Sequence, residues 1–131
     1  MVDQFGPLNE ELRFCMDYEY WLRLAEGGAT FTYLPVPIAG SRMYAQNKTL
    51  SQRVKVHTEI NDMMKEKLGK VPDAWLYNYA HSVLDVRGIS RNSRSFSFLV
   101  TLESIMASLR WNQTISRDIF QTTSRWLGLK K

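Results

Sequence analysis

Apolar and polar positions along the chain fall into two different regimes. Tyr18, Trp21, Leu22 and Ala25 recur at i, i+3, i+4 and i+7, the stripe of a short amphipathic helix. Asp17 stands just before it, where a carboxylate can accept from the free N–H groups of a first turn, so it reads as an N-cap. Gly27 and Gly28 follow the last apolar position, where a left-handed cap is wanted. Beyond them Phe31 and Tyr33 alternate with Thr30 and Thr32, the period of a strand. Pro35 and Pro37 cannot donate to a ladder and mark a bend or an edge. Residues 38–44 read as a second extended segment, with Gly40 and Arg42 on one face.

After Tyr44 the period lengthens. Thr49 to Gln52 reads "TLSQ", the pattern of a capping box. Leu50, Val54, His57, Ile60, Met64 and Leu68 form a helical stripe that Gly69 ends. Pro72 suits the first turn of the next helix, whose face is Leu76, Tyr77, Ala80, Val83 and Leu84. A polar break, "RGISRNSRS", precedes a third helix over residues 95–111, with Phe98, Leu102, Ile105, Met106 and Leu109 in phase. A fourth spans residues 115–127 and closes at Gly128. The expected fold class is therefore mainly α, an α+β fragment: a short helix with two short strands, then a bundle of about four helices. Two short strands do not make a stable sheet by themselves. The rest of that sheet is expected to belong to polypeptide outside these residues, with residues 1–48 as one segment and 49–131 as a helical extension.

Composition adds bounds. The chain has 131 residues, of which 44% are hydrophobic and 12% aromatic, enough for a packed core and too many for disorder. Its single cysteine, Cys15, excludes an internal disulfide framework and fits a reducing, cytoplasmic compartment. No apolar run approaches the roughly 20 residues of a membrane span. The opening "MVDQFGPLNEEL" has neither the basic nor the apolar region of a secretory leader. The Asn47 and Asn112 triplets would matter only in a secretory compartment. The net charge of +4 is unevenly spread. Arg87, Arg91, Arg94 and Arg110 gather around one loop and helix, and Arg125, Lys130 and Lys131 close the chain. Such a patch is either a solvated face or a surface for an anionic partner.

The stretch from Phe5 to Ser51 carries more than periodicity. Gly6, "LNEEL", "MDYEYWLRL", Gly27-Gly28, "FTYL" and "SRMY" follow one another in order. This order resembles the C-terminal part of the catalytic domain of inverting GT-A glycosyltransferases of family 2. There a glycine and a "fDE-L" phrase precede a "(E)D-Y-(D/E)-L-W-L-R-L" helix start, and a small-residue turn, a strand and an "R-x-H" phrase follow. The resemblance covers a little over a third of the chain. It implies that Asp17 is the catalytic base, taking a proton from an acceptor hydroxyl as that oxygen attacks the anomeric carbon. A helix N-terminus orients such a carboxylate and favours its charge, so cap and base are compatible. Arg42 is implied as a cation near the donor diphosphate. Glu10, of the "LNEEL" phrase, and Trp21 are implied at the substrate. Trp21 could stack on a sugar ring, although its place in the apolar stripe argues for the core.

The sequence departs from the family pattern in three ways. Met16 stands where the family often has Glu. Tyr44 stands where it has a His that binds metal in some members, and a phenol is a poor ligand beside an imidazole. No D-x-D phrase occurs in these 131 residues. The family's divalent cation, Mg²⁺ or Mn²⁺, and the nucleotide-sugar donor are therefore expected to be held by residues outside this chain, with no metal in it. The chain reads as a fragment inactive alone, whose whole enzyme uses a nucleotide sugar and a sugar or lipid-linked acceptor.

Other residues carry weaker signals. His57 and His81 read as buried histidines, and Cys15 as a small apolar residue, because no C-x-x-C or H-x-x-x-H spacing accompanies them. The competing reading is a helical binding module that uses its Arg-rich face on a partner, a nucleic acid or a membrane surface. The first reading expects no nucleic acid. It is compatible with peripheral membrane contact at the cytoplasmic face through "SRWLGLKK". An uncovered apolar face would also favour a homo-oligomer.

Overall fold

The protein is described by a computed structural model covering residues 2–40, 52–93 and 95–128. The chain divides into two compact units, Met1–Ser51 and Gln52–Lys131.

In the first unit a single turn, α1 (Val2–Phe5), leads through a loop to α2 (Met16–Glu26). The helix begins earlier than the cap reading of Asp17 requires. Cys15 holds the N-cap position, with no side-chain cap hydrogen bond, and Asp17 is the second helical residue. A first-turn donor is nonetheless satisfied: Tyr18 N–H donates to Asp17 Oδ1 at 2.8 Å. The buried residues of α2 are Glu19 and Leu24, whereas Trp21 and Ala25 of the apolar stripe are exposed. Arg23 sets this orientation. Its guanidinium donates to Phe5 O at 2.5 Å, Pro7 O at 2.8 Å and Glu19 Oε2 at 3.0 Å. The N-terminal loop is thus tied to the Glu19–Arg23 side of the helix, away from Trp21.

The two strands are a correction. Among the described residues the structure contains no strand, and residues 29–40 run as irregular chain. A strand exists through its ladder, and no described segment pairs with this one. Pro35 and Pro37 remove two donors, and residues 30–40 are all exposed. The fold is therefore all-helical where it is described, and not α+β. Residues 41–51, with the end of the second expected strand and most of the capping box, lie outside the described residues.

The second unit is built of α3 (Arg53–Leu68), α4 (Asp73–Val86), α5 (Phe96–Asn112) and α6 (Arg117–Trp126). Gly69, at φ 69°, closes α3 in the left-handed conformation that glycine adopts without strain. Gln52 occupies the N-cap of α3, without a side-chain cap bond, rather than the inner position of a capping box. Ser116 caps α6 by accepting from Ile119 N–H at 3.0 Å. The core gathers around α4. Ala80, Leu84, Phe96 and Val100 form one buried cluster, against which Ile89, Leu99 and Trp126 pack. Met64, Leu76, Leu84 and Ile119 are completely enclosed. Truncating any of them to alanine removes apolar contact and leaves a cavity, a loss of about 2–5 kcal/mol.

Helix α5 is turned over relative to its sequence pattern. The stripe of Phe98, Leu102, Met106 and Leu109 is 59%, 44%, 45% and 48% exposed. The opposite face is buried, and it holds Thr101, Ser104, Ala107 and Ser108 with Phe96, Val100 and Trp111. Small side chains let neighbouring helices approach closely, and their hydroxyls can be satisfied inside the fold. Ser104 Oγ donates to Val100 O at 2.7 Å and Ser108 Oγ to Thr114 O at 2.5 Å. At the far end, Trp111 Nε1 donates to Asp62 Oδ1 at 2.7 Å, fixing α5 to α3.

Candidate functional site

In the first unit, Asp17 and Trp21 stand four residues apart on α2. That spacing places them on one face, one turn from each other. Both are exposed, Trp21 at 54%. The Asp17 carboxylate is oriented by the Tyr18 N–H. The Trp21 ring is held edge-on to Tyr18, with centroids 6.4 Å apart and planes at 88°. A carboxylate and an indole face presented together suit a polyol: one accepts a hydroxyl proton, the other stacks on the C–H face of a ring. Trp21 is thus no core residue. Glu10 is also exposed, but it lies in the turn opened by Asn9, whose Oδ1 accepts from Glu11 N–H at 3.1 Å. Arg42 and Tyr44 lie outside the described residues. Cys15 is buried at the start of α2.

Two glycines hold this unit in shape. Gly6 has φ +76°, and a Cβ there would lie 3.2 Å from Arg23 Nη1. A Cβ on Gly27 would run into the Phe5 ring. The glycine, arginine and glycine of the phrase are therefore parts of one clamp, in which loop, helix and helix end meet. Periodicity alone does not reveal Arg23 as its centre.

In the second unit the two histidines sit near arginines. The pKa of His57 is lowered by burial and by Arg53. That of His81 is lowered by burial and by Arg91 and Arg53, against the opposing pull of Asp85. Arg53 and Arg91 both donate to Asp85 Oδ2, at 3.2 and 3.3 Å. Arg87 pairs with Glu103 at 3.4 Å, and Arg110 lies 4.4 Å from the centroid of the Trp111 ring. The arginines that read as one open patch each have a partner, and Arg94 lies outside the described residues. Tyr77 donates to Asp118 Oδ2 at 3.0 Å, and burial leads the causes that push its pKa up to about 12.

A shallow cleft of about 280 Å³ opens where the α3–α4 loop meets the end of α5, lined by Lys70, Asp73, Asn112 and Ser116 among others. Several of its polar groups are engaged with each other: Ser116 Oγ donates to Asp73 Oδ2 at 2.5 Å, and Asn112 bonds the Val71 backbone. It is a packed joint more than a receptor.

Among the described residues no three His, Cys, Asp or Glu side chains gather closely enough to hold a cation, so no step through a metal is assigned to them. No helix among the described residues is long and apolar enough to cross a membrane. No protein-family model, curated protein or solved structure matches the chain.

Proposed function

We propose that residues 5–51 are the acceptor-side part of an inverting glycosyltransferase, with Asp17 as the general base. The observation that carries this reading is the shared exposed face of Asp17 and Trp21 on α2, within a stretch whose phrases follow the order of that family. The acceptor sugar stacks on Trp21 with one hydroxyl toward Asp17. The carboxylate takes the hydroxyl proton while the oxygen's electron pair forms the new bond at the anomeric carbon. The bond from that carbon to the diphosphate breaks on the opposite side, and the nucleoside diphosphate leaves. Arg42 is proposed as a cation beside that leaving group. Apart from Arg42, the residues that bind the donor and its cation are proposed to lie outside these 131. The rival reading is a basic helical module for nucleic acid, which a strongly salt-dependent affinity for nucleic acid would distinguish.

The test is nucleotide release from a panel of uridine, guanosine and thymidine diphosphate sugars by the whole protein that carries this chain. Asp17→Asn keeps an oxygen that can accept from Tyr18 N–H, so folding and donor binding should hold. Transfer should fall about 10²- to 10⁴-fold, the usual loss of a positioned base. A rate near wild type would return Asp17 to a purely structural role.

A further inference from the structure

Helix α5 buries small hydroxyl side chains among Phe96, Val100, Ala107 and Trp111, and turns its most apolar stripe outward. A contiguous exposed apolar stripe marks a surface that another body covers. Phe98, Leu102, Met106 and Leu109 run over three turns as one continuous exposed stripe. At 100° per residue, Glu103 and Arg110 lie along one margin of it, and Glu103 brings the Arg87 guanidinium to the same margin. Residues 52–131 carry thirteen Lys and Arg against seven Asp and Glu, a net charge of +6. A second copy laid on this stripe would set one strongly basic unit against another. A surface that is apolar beneath and anionic above meets both demands at once.

We propose that the exposed face of α5 docks on an anionic lipid surface, with the Phe98–Leu102–Met106–Leu109 stripe in the headgroup–acyl boundary and Arg87 and Arg110 at lipid phosphates. The helix lies in the plane of the interface. Apolar burial supplies the hold, and the basic charge supplies attraction to a negative leaflet. The inference concerns the helical unit and stands independently of the transferase reading.

The experiment is co-sedimentation of the full chain with vesicles of phosphatidylcholine alone and of phosphatidylcholine with about 30% phosphatidylserine, a leaflet-like anionic charge. Binding should require the anionic lipid and weaken with salt. Phe98→Gln, Leu102→Gln and Met106→Gln together should reduce it about tenfold or more, since three exposed side chains lose their apolar contact. The triple variant should keep its helical circular dichroism, because these side chains do not build the core. A Met106→Trp variant gives an independent reading: its fluorescence should be quenched by lipids brominated near the headgroup end of the acyl chains. Three results would overturn the proposal. One is no binding to anionic vesicles. The second is binding that the triple variant leaves intact, with the introduced indole unquenched, which is adsorption by charge elsewhere. The third is a dimer in sedimentation that the triple variant abolishes while vesicles go unbound.

Discussion

Asn112 pairs with the Val71 peptide as a neighbouring strand would. Its Nδ2 donates to Val71 O and its Oδ1 accepts from Val71 N–H, both at 2.8 Å. One side chain at the end of α5 thereby satisfies both backbone groups of a buried residue in the α3–α4 loop. Asn112→Asp keeps the acceptor but sets an oxygen against the Val71 carbonyl. We expect a loss of about 1–3 kcal/mol in urea unfolding, the cost of a buried polar group left without its partner. Asn112→Gln should not restore it, because the longer side chain cannot match both bonds.

Asn61 is the opposite case. It is completely buried on α3, and neither amide atom has a hydrogen-bond partner in the structure. Asn61→Leu replaces an uncompensated amide with an apolar side chain of similar volume. The helical unit should gain about 1–2 kcal/mol, seen as a higher urea midpoint with an unchanged slope.

These two asparagines show what the sequence could and could not disclose. Helices α3, α4 and α6 were legible because glycines punctuate them: Gly69, Gly88 and Gly128 stand at their ends in the structure, whereas the Ser116 cap of α6 emerges only there. The face of α4 was legible too, since Leu76, Ala80, Val83 and Leu84 are buried as their spacing requires. The face of α5 was not. A rule that sorts residues into apolar and polar sends Thr101, Ser104 and Ser108 outward, yet they return their hydroxyls to the backbone or pack by size. The face of α2 failed for a different reason. Arg23 and Glu19 satisfy each other and two carbonyls, so a charged pair becomes the inner side and Trp21 the outer. The strand reading of residues 29–40 failed because alternation describes a face, whereas a strand needs a partner. The spacing reads Asp17 as an N-cap; the structure sets it two places further in, as the second helical residue after the Cys15 N-cap, and leaves its carboxylate exposed.

The Arg23 clamp should be sensitive to its smallest member. Gly6→Ala places a side chain at a positive φ and beside the guanidinium, a strain of about 1–2 kcal/mol. Arg23→Lys keeps a charge but loses the fork that reaches two carbonyls and Glu19 together. Because Glu19 is buried, we expect a larger loss, about 3 kcal/mol. Hydrogen exchange of the α2 amides reads this unit selectively. Both variants should speed that exchange and leave α4 amides unchanged.

Acid should weaken the helical unit through its histidines. His57 and His81 are held below the ordinary value of 6.5, by burial first and then by neighbouring arginines. The unfolded chain therefore takes up protons before the folded one does. Stability is full above about pH 6.5, falls as the pH drops below it, and levels off once the folded imidazoles also titrate. Exchange of α4 amides at a series of pH values, corrected for intrinsic rates, should show this fall. His57→Gln with His81→Gln should flatten it. A stability that rises on acidification over the same range would contradict the assignment.

The Arg23 clamp also has a topological meaning. Residues 5 to 23 form a ring closed without a covalent bond: the chain leaves Phe5, turns through the loop, climbs α2, and is fastened back to its starting point by one guanidinium. A backbone cut between Leu8 and Phe14 would open the sequence but leave the ring's fastening in place. The N-terminal piece would then stay attached as a non-covalent peptide, and the exposed face of Asp17 and Trp21 would survive the break.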